Sequence, residues 1–248
     1  MRCARCRQDI SVTAGTAFHD SHIPLRLWFQ AIWCAVSQKH GISALGLSRV
    51  LGIKRYATAL LLLRKIRSAM VRPGRERLSG TVEADEVFLG GKRRLVAGRT
   101  PTGTVMVLIA AEDKGAEGIG RIRMRVIPDA TLPTLNAAIK AMVDRGSTVR
   151  TDGWKGYQGL GRVGYRHVET KRQPSIPGYD PTPLIHRISS LLKRWLLGTH
   201  QGGVRKSHIG PYLEEFVFRF NRRSSRSRGK LFYRLIQIMV HPHEREVV

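Results

Sequence analysis

The hydrophobic pattern of the chain changes rhythm near residue 80. From Pro24 to Met70 apolar residues recur at helical spacing. In PLRLWFQAIWCAVSQKHG the residues Leu25, Trp28, Phe29, Ile32 and Val36 fall on one face, and Gly41 offers a C-cap. ISALGLSRVLG predicts a short second helix closed by Gly52, and IKRYATALLLLRKIRSAM a third that carries Lys54, Arg55, Arg64, Lys65 and Arg67. Two short helices joined through a glycine, the second of them basic, have the spacing of a helix-turn-helix, although three-helix domains without a DNA partner share that rhythm. VRPGRERLSG, from Val71 to Gly80, reads as a linker.

Beyond the linker, strands alternate with helices. TVEADEVFLGG is too short and too sharply closed by Gly90 and Gly91 for a core helix, so it predicts a strand. TVMVLIAAE is apolar throughout and predicts an interior strand. In RIRMRVI, Ile122, Met124 and Val126 alternate with Arg121, Arg123 and Arg125, which describes a half-buried strand with an arginine face. TLPTLNAAIKAMVDRG follows as a helix with Leu135, Ala138, Ile139, Met142 and Val143 at core spacing, and STVRTDGWKGY is a strand running into a turn. PTPLIHRISSLLKRWLLG then has Thr182 as N-cap, Pro183 at the first helical position and Gly198 as the stop. Its apolar stripe runs through Leu184, Ile185, Ile188, Leu191, Leu192, Trp195 and Leu196, leaving His186 and Lys193 together on the other side. The order describes an α/β layer with a mixed sheet.

Charge narrows the partners. The 248 residues hold 43 Lys and Arg against 18 Asp and Glu, a formal net charge of +25, which suits a polyanion bound through counterion release. The arginines are spread through folded segments and form no single amphipathic face, which sets a membrane surface lower. The longest apolar run, Val105 to Ala111, is too short to span a bilayer, and MRCARC lacks the apolar stretch of a signal peptide. Three cysteines, Cys3, Cys6 and Cys34, are too few for a disulfide framework and fit a reducing compartment, so the expected location is the cytoplasm. Cys3 and Cys6 form one C-x-x-C with no second pair after it. It reads as half of a zinc knuckle, as two unpaired cysteines at a frayed end, or as the remainder of a ribbon whose first knuckle lies upstream.

The acidic residues in the first strand stand out, because carboxylates are costly to bury unless paired, hydrogen-bonded or metal-bound. Asp85 lies in that strand and Asp152 where STVRT breaks at Gly153, a carboxyl-end position where ligands of open α/β sheets collect. Side by side in a basic protein, two carboxylates suggest hard-metal binding for phosphate chemistry. By alternation Glu83 shares a face with Asp85, whereas Glu86 points away and is expected to pair with an arginine. Trp154 and Tyr157 suit stacking on an unpaired base or simple packing, of which packing is the expectation.

TVEADEVFLGGK, TDGWKGY and HRISSLLKRWLLGTHQGG through HIGPYLEEFVFRFNRR resemble the three blocks of the ISXO2-like group of bacterial insertion-sequence transposases. The upstream CARCRQDISVTAGTAFHDSHIPLRLWFQAIW resembles the second knuckle of that group's zinc ribbon and the helix after it. The resemblance implies a DDE-type catalytic domain of ribonuclease H-like α/β fold, a mixed sheet flanked by helices. It implies Asp85 and Asp152 as the first two metal-binding acids, His186 at a third position where relatives carry Glu or Asn, and Lys193 as the lysine of LKR. The chain then divides into a zinc-ribbon remnant at 1–22, a helix-turn-helix DNA-binding segment at 23–71, the catalytic domain at 80–223, and a C-terminal helix and tail at 224–248. Two Mg²⁺ or Mn²⁺ ions are the implied cofactors, with Zn²⁺ at Cys3 and Cys6 left open. The expected partner is double-stranded DNA, both element ends and target, with a homo-oligomer on that DNA and no membrane. Its expected contacts are Lys54, Arg55, Arg64, Lys193, Arg194, Arg205 and Lys206. The implied reaction is hydrolysis at the element's ends followed by strand transfer. Two rival readings fit the same residues: a DNA-binding regulator that has lost catalysis, and a nuclease that cuts without strand transfer.

Overall fold

The computed structural model describes residues 4–7, 11–72, 74–90, 104–170, 178–201 and 204–241. The chain forms two compact units, one of residues 1–73 with 224–248 and one of residues 74–223. Cys3 lies outside the described residues, and Cys6 is exposed.

In the first unit, α1 (Leu25–Ser37) buries Trp28, Ala31, Ile32, Ala35 and Val36. The helix ends before Gly41, which instead takes a positive φ of 71° in the turn that follows. Of the expected apolar face, Leu25 and Phe29 remain partly exposed, although the Phe29 ring meets Phe18 and Phe232 edge-on. Helix α2 (Ala44–Leu51) begins at Ser43, whose hydroxyl accepts the Gly46 N–H at 3.0 Å, and stops at Gly52, whose φ of 65° favours glycine. Helix α3 (Tyr56–Ala69) buries Ala59, Leu62, Leu63 and Ile66. Its Lys65 is tied inward, donating to the Ala17 carbonyl at 3.2 Å and lying over the Trp28 ring, while Lys54, Arg55 and Arg64 are exposed. The C-terminal helix, α7 (Arg228–Val240), returns to pack on α1 and α3, and its Phe232 wedges against Phe29 and Trp33.

The second unit is built on a five-stranded sheet. Its strands are β1 (Thr81–Gly90), β2 (Thr104–Asp113), β3 (Ile119–Ile127), β4 (Thr148–Thr151) and β5 (Arg166–Glu169), in the order β3-β2-β1-β4-β5. Strands β1, β2 and β3 form an antiparallel meander, and β4 and β5 run parallel to β1. On one face α4 (Leu132–Met142) sets Leu135, Ala138 and Ile139 against Val82, Ala84, Leu108 and Ala110. On the other, α5 (Pro183–His200) and α6 (Ile209–Phe220) bring Ile185, Ile188, Leu192, Phe216 and Val217 onto Val87, Val107, Ile109 and Ile122. Burial on both faces explains the unbroken apolar run of β2. The result is a mixed five-stranded sheet flanked by helices on both faces. Among the described residues no helix is long and apolar enough to cross a membrane.

Three expectations are corrected here. Helix α5 runs through Gly198 to His200, and Leu191 of its stripe is exposed. The linker is not free of the sheet, because Leu78 is fully buried and bridges Val143. The arginine face of β3 is only partial. Val126 is exposed at 42%, whereas Arg123 is buried, donating to the carbonyls of Glu76 at 2.6 Å and Ile122 at 3.1 Å. Burial, helped by the nearby Arg75 and Arg121, pushes the Arg123 guanidinium down to about 10.

Arg121 anchors this edge through Glu112. The buried Glu112 carboxylate accepts from the Arg121 guanidinium at 2.7 Å and from the backbone N–H groups of Arg121 and Ser79. Burial alone would raise its pKa, but these bonds hold it below the usual value. Glu112→Gln is therefore expected to destabilise the protein by about 1–3 kcal/mol at neutral pH. A depressed folded pKa means the contribution is complete above the unfolded value of about 4.3 and is lost as the pH falls through the lower folded value. Urea unfolding of both proteins from neutral pH into acid checks this; the gap between them should close on acidification, and a constant gap contradicts it.

Candidate active site

The parallel pairing of β1 with β4 sets the site. Thr81 lies opposite Thr148, Val82 opposite Val149 and Glu83 opposite Arg150. The offset in that ladder, 148 − 81, equals 152 − 85, so the same register carried two residues further would set Asp85 opposite Asp152, and the charge of Asp152 acts on Asp85. Strand β4 ends at Thr151, and Asp152 turns the chain by accepting the Trp154 N–H on Oδ1 at 3.0 Å. Trp154 is fixed in turn, its indole N–H donating to the Ala130 carbonyl at 2.9 Å. Gly156 is required beneath it, because a Cβ there would collide with the Ala130 carbonyl oxygen and lie 2.8 Å from Leu135 Cδ1. Tyr157 is fully buried and its hydroxyl donates to Glu86 Oε2 at 2.6 Å. Packing thus holds for Tyr157, whereas Trp154 stays 49% exposed beside Asp152. The partner of Glu86 is this tyrosine and not an arginine, because Glu86 faces the α4 side of the sheet, where Tyr157 is buried.

Asp85 is 9% exposed and accepts the Thr182 hydroxyl on Oδ2 at 2.7 Å. This bond corrects the sequence expectation for Thr182. The residue occupies the N-cap position of α5 but makes no side-chain cap, since its hydroxyl is turned to Asp85. Glu83, two residues before Asp85 on the same face, supplies the missing cap. Its Oε1 accepts the Ile185 N–H in the first turn of α5 at 3.0 Å, and its Oε2 takes Arg150 Nη2 at 3.3 Å. Arg150 also holds Asp113 through Nη1 at 2.7 Å.

Burial pushes the Asp85 carboxyl up to about 6; the Thr182 bond opposes the rise and the charge of Asp152 adds to it. Burial also raises Glu86, against the Tyr157 bond and with Asp85 and Asp152 adding to the effect, and it raises Glu83 despite the α5 N–H groups and Arg150. Three acidic side chains of one strand are therefore held in surroundings that favour their neutral forms.

His186 reaches the same place from α5. Its Nε2 lies 4.0 Å from Asp85 Oδ2, and its Nδ1 is 2.7 Å from Asp180 Oδ2. Asp180 was not singled out by pattern, although an Asp-Pro-Thr turn just before a helix is a local signal. Lys193 and Arg194 are exposed further along α5, and Arg205 and Lys206 are exposed ahead of α6. Asp85, Asp152 and His186 are thus brought to one end of the sheet. Lys54, Arg55 and Arg64 belong to the other compact unit.

Among the described residues no three His, Cys, Asp or Glu side chains stand close enough to form a metal-holding group. The chemistry of the donors nevertheless fits a divalent ion. A buried carboxylate pushed up toward neutral pH, a second carboxylate adding to that shift, and an imidazole whose far nitrogen is held by an aspartate together match the donor set of an oxygen- and nitrogen-ligated cation.

Known proteins and one family model match the chain. An uncharacterized protein in transposable element ISH50 of Halobacterium salinarum is 26% identical over 236 residues, covering 88% of this chain and 76% of its own. The catalytic core domain of BIV integrase superposes with a TM-score of 0.38 at 13% identity, covering 64% of this chain and 97% of the integrase chain. A chain of the simian T-cell lymphotropic virus intasome, solved with the PP2A regulatory subunit B56 gamma, gives a TM-score of 0.38 at 14% identity, covering 82% and 74%. The family model of the ISXO2-like transposase domain matches residues 77–221, which takes in the whole sheet, Asp85, Asp152, Asp180 and His186. With more than half of its length matched, the chain belongs to the ISXO2-like transposase domain family.

Proposed function

We propose that the protein is a DDE-type transposase that cleaves DNA at the ends of its element and joins the freed 3′-hydroxyl to target DNA. The observation that supports this reading is the β1–β4 register, which if extended would pair Asp85 with Asp152, with His186 close to Asp85, in a chain of the transposase family. Asp85, Asp152 and His186 would hold two Mg²⁺ or Mn²⁺ ions, which when bound activate the attacking oxygen and stabilise the leaving oxygen of an in-line displacement. An imidazole in the third position removes one negative charge from the donor set, which favours Mn²⁺ relative to Mg²⁺. Thr182 holds the Asp85 carboxylate in place, and Glu83 holds the start of the helix that carries His186. Lys193 and Arg194 on α5, with Arg205 and Lys206 beyond it, would take backbone phosphates, which their exposure supports. Exposed Lys54, Arg55 and Arg64 at α3 fit a helix-turn-helix contact with the element's ends. Assembly of a homo-oligomer on DNA belongs to the same reading, as does the segmentation into a ribbon remnant, a DNA-binding segment and a catalytic domain.

Asp85→Asn and Asp152→Asn should each abolish cleavage and joining of a labelled element end while leaving DNA affinity within a few-fold of wild type, because affinity rests on cations at phosphates. Full cleavage by either variant refutes the site, and cleavage by the wild type without joined product favours a nuclease. Asp85→Asn has a second consequence. A carboxyl raised to about 6 contributes stability that is complete below the unfolded value of about 3.9 and is lost as the pH rises through 6. The inactive variant should therefore be more stable than wild type at neutral pH without divalent ions, by about 1–3 kcal/mol. Urea unfolding in a chelator tests this, and equal stability would show that the buried charge carries no penalty.

Changing Lys54, Arg55 and Arg64 together to Gln should lower the slope of log affinity against log salt by about 0.9 for each phosphate that is no longer neutralised. Preference for element ends over random duplex should fall with it. Binding isotherms at several salt concentrations measure both, and an unchanged slope places recognition elsewhere.

A further inference from the structure

The described residues offer an apolar groove of about 540 Å³ between α1, α2 and α7, lined in part by Phe29, Trp33 and Phe232, but nothing indicates what would fill it. The acidic turn ahead of α5 carries more. Both oxygens of Asp180 are used, and both lead to Asp85. Oδ1 accepts the Thr182 N–H at 3.0 Å, which sets the residue whose hydroxyl donates to Asp85 Oδ2 at 2.7 Å. Oδ2 lies 2.7 Å from His186 Nδ1, on the ring whose other nitrogen faces the same Asp85 oxygen at 4.0 Å. One carboxylate thus orients the two groups that converge on one atom.

We propose that Asp180 is a positioning residue that holds His186 in the tautomer protonated on Nδ1, leaving the Nε2 lone pair directed at the Asp85 carboxylate for a divalent cation. The inference rests on the reading of Asp85 and His186 as cation ligands and adds the residue that makes the imidazole competent. A carboxylate accepts only, so the ring nitrogen facing it must carry the proton. In a neutral imidazole the other nitrogen is then the free one. Metal-bound histidines commonly take this arrangement, and loss of the outer carboxylate weakens the metal by about 10- to 100-fold. Lys193, two turns along α5, has no such acceptor role and does not substitute for it.

The test uses the full chain, free of DNA, with ¹⁵N-labelled histidine. His186→Gln identifies the His186 resonances. In the Mg²⁺-loaded wild type His186 should be protonated on Nδ1 and not on Nε2. In Asp180→Asn the amide N–H₂ can donate to Nδ1 and invert the tautomer, while the amide oxygen still accepts the Thr182 N–H and keeps the turn. Calorimetric Mg²⁺ affinity should then fall by about 10- to 100-fold. Thr182→Val perturbs the same turn but should leave the His186 tautomer as in wild type, which separates positioning of the ring from general loosening. If Asp180→Asn keeps the Nδ1–H form and binds Mg²⁺ within twofold of wild type, while Asp85→Asn does not bind, the role of Asp180 is refuted and the site stands. If Asp85→Asn binds Mg²⁺ as wild type does, the underlying site fails and this inference falls with it.

Discussion

The bond from the Ile185 N–H to Glu83 fixes the rest of the site, because it fastens the start of a helix to the strand that carries Asp85. The first N–H groups of a helix lack intrahelical acceptors, and Thr182 has turned its hydroxyl away to Asp85. A carboxyl group from β1 fills that gap by accepting at the positive end of the helix dipole. Its second oxygen takes Arg150 of β4, and Arg150 continues to Asp113 at the end of β2. Three strands and a helix meet at the two ion pairs of Arg150. The 4.0 Å approach of His186 to Asp85 follows from that fastening, since His186 is the next residue of the helix after Ile185.

The same strand holds acids that the fold alone would prefer neutral. Asp85 is raised to about 6 by burial, and Glu86 is raised beside it although Tyr157 donates to it. A protein selected for stability alone would replace such groups with apolar ones of similar size. Their presence in the middle of the central strand fits the proposed role as a cation site. The DGWKGY turn serves that arrangement: the Trp154 N–H holds Asp152, the Ala130 carbonyl holds Trp154, and Gly156 lets the three pack.

The sequence made the strong periods legible and left the cross-chain partners hidden. Helices α2 and α5, the strands β1 and β2 and the place of Asp152 at a strand end were all readable, because hydrophobic spacing and Gly or Pro punctuation are local. Strand β5 was missed, since its four residues, Arg166 to Glu169, are largely exposed and carry no alternation. Arg123 read as outward by alternation, yet the segment around Glu76 lies over it, a contact that period 2 cannot reveal. The N-cap pattern at Thr182 was correct about the helix start and wrong about the side chain, because its bond partner lies 97 residues away. The capping role of Glu83 was hidden for the same reason, whereas Asp180 contacts only the nearby Thr182 and His186 and its turn was a local signal left unread. The return of α7 to the N-terminal helices likewise depends on contacts such as Phe29 with Phe232 that no local window contains.

Charge is divided between these two tasks. Acids are scarce, 18 against 43 Lys and Arg, yet Glu83, Asp85, Glu86, Glu112, Asp113, Asp152 and Asp180 all sit in or beside one sheet. Several are taken up by specific internal donors, so they neutralise little of the outer field. The basic excess is left to act at the surface, where counterion release makes affinity strongly salt-dependent. The buried acids are shielded from that salt by low-dielectric surroundings. In the proposed function, duplex capture and chemistry at Asp85 would therefore answer to different variables, ionic strength for the first and the protonation of buried carboxylates for the second. On that reading a change in either would leave the other nearly untouched, so a high net charge and a cluster of buried acids can coexist in one chain.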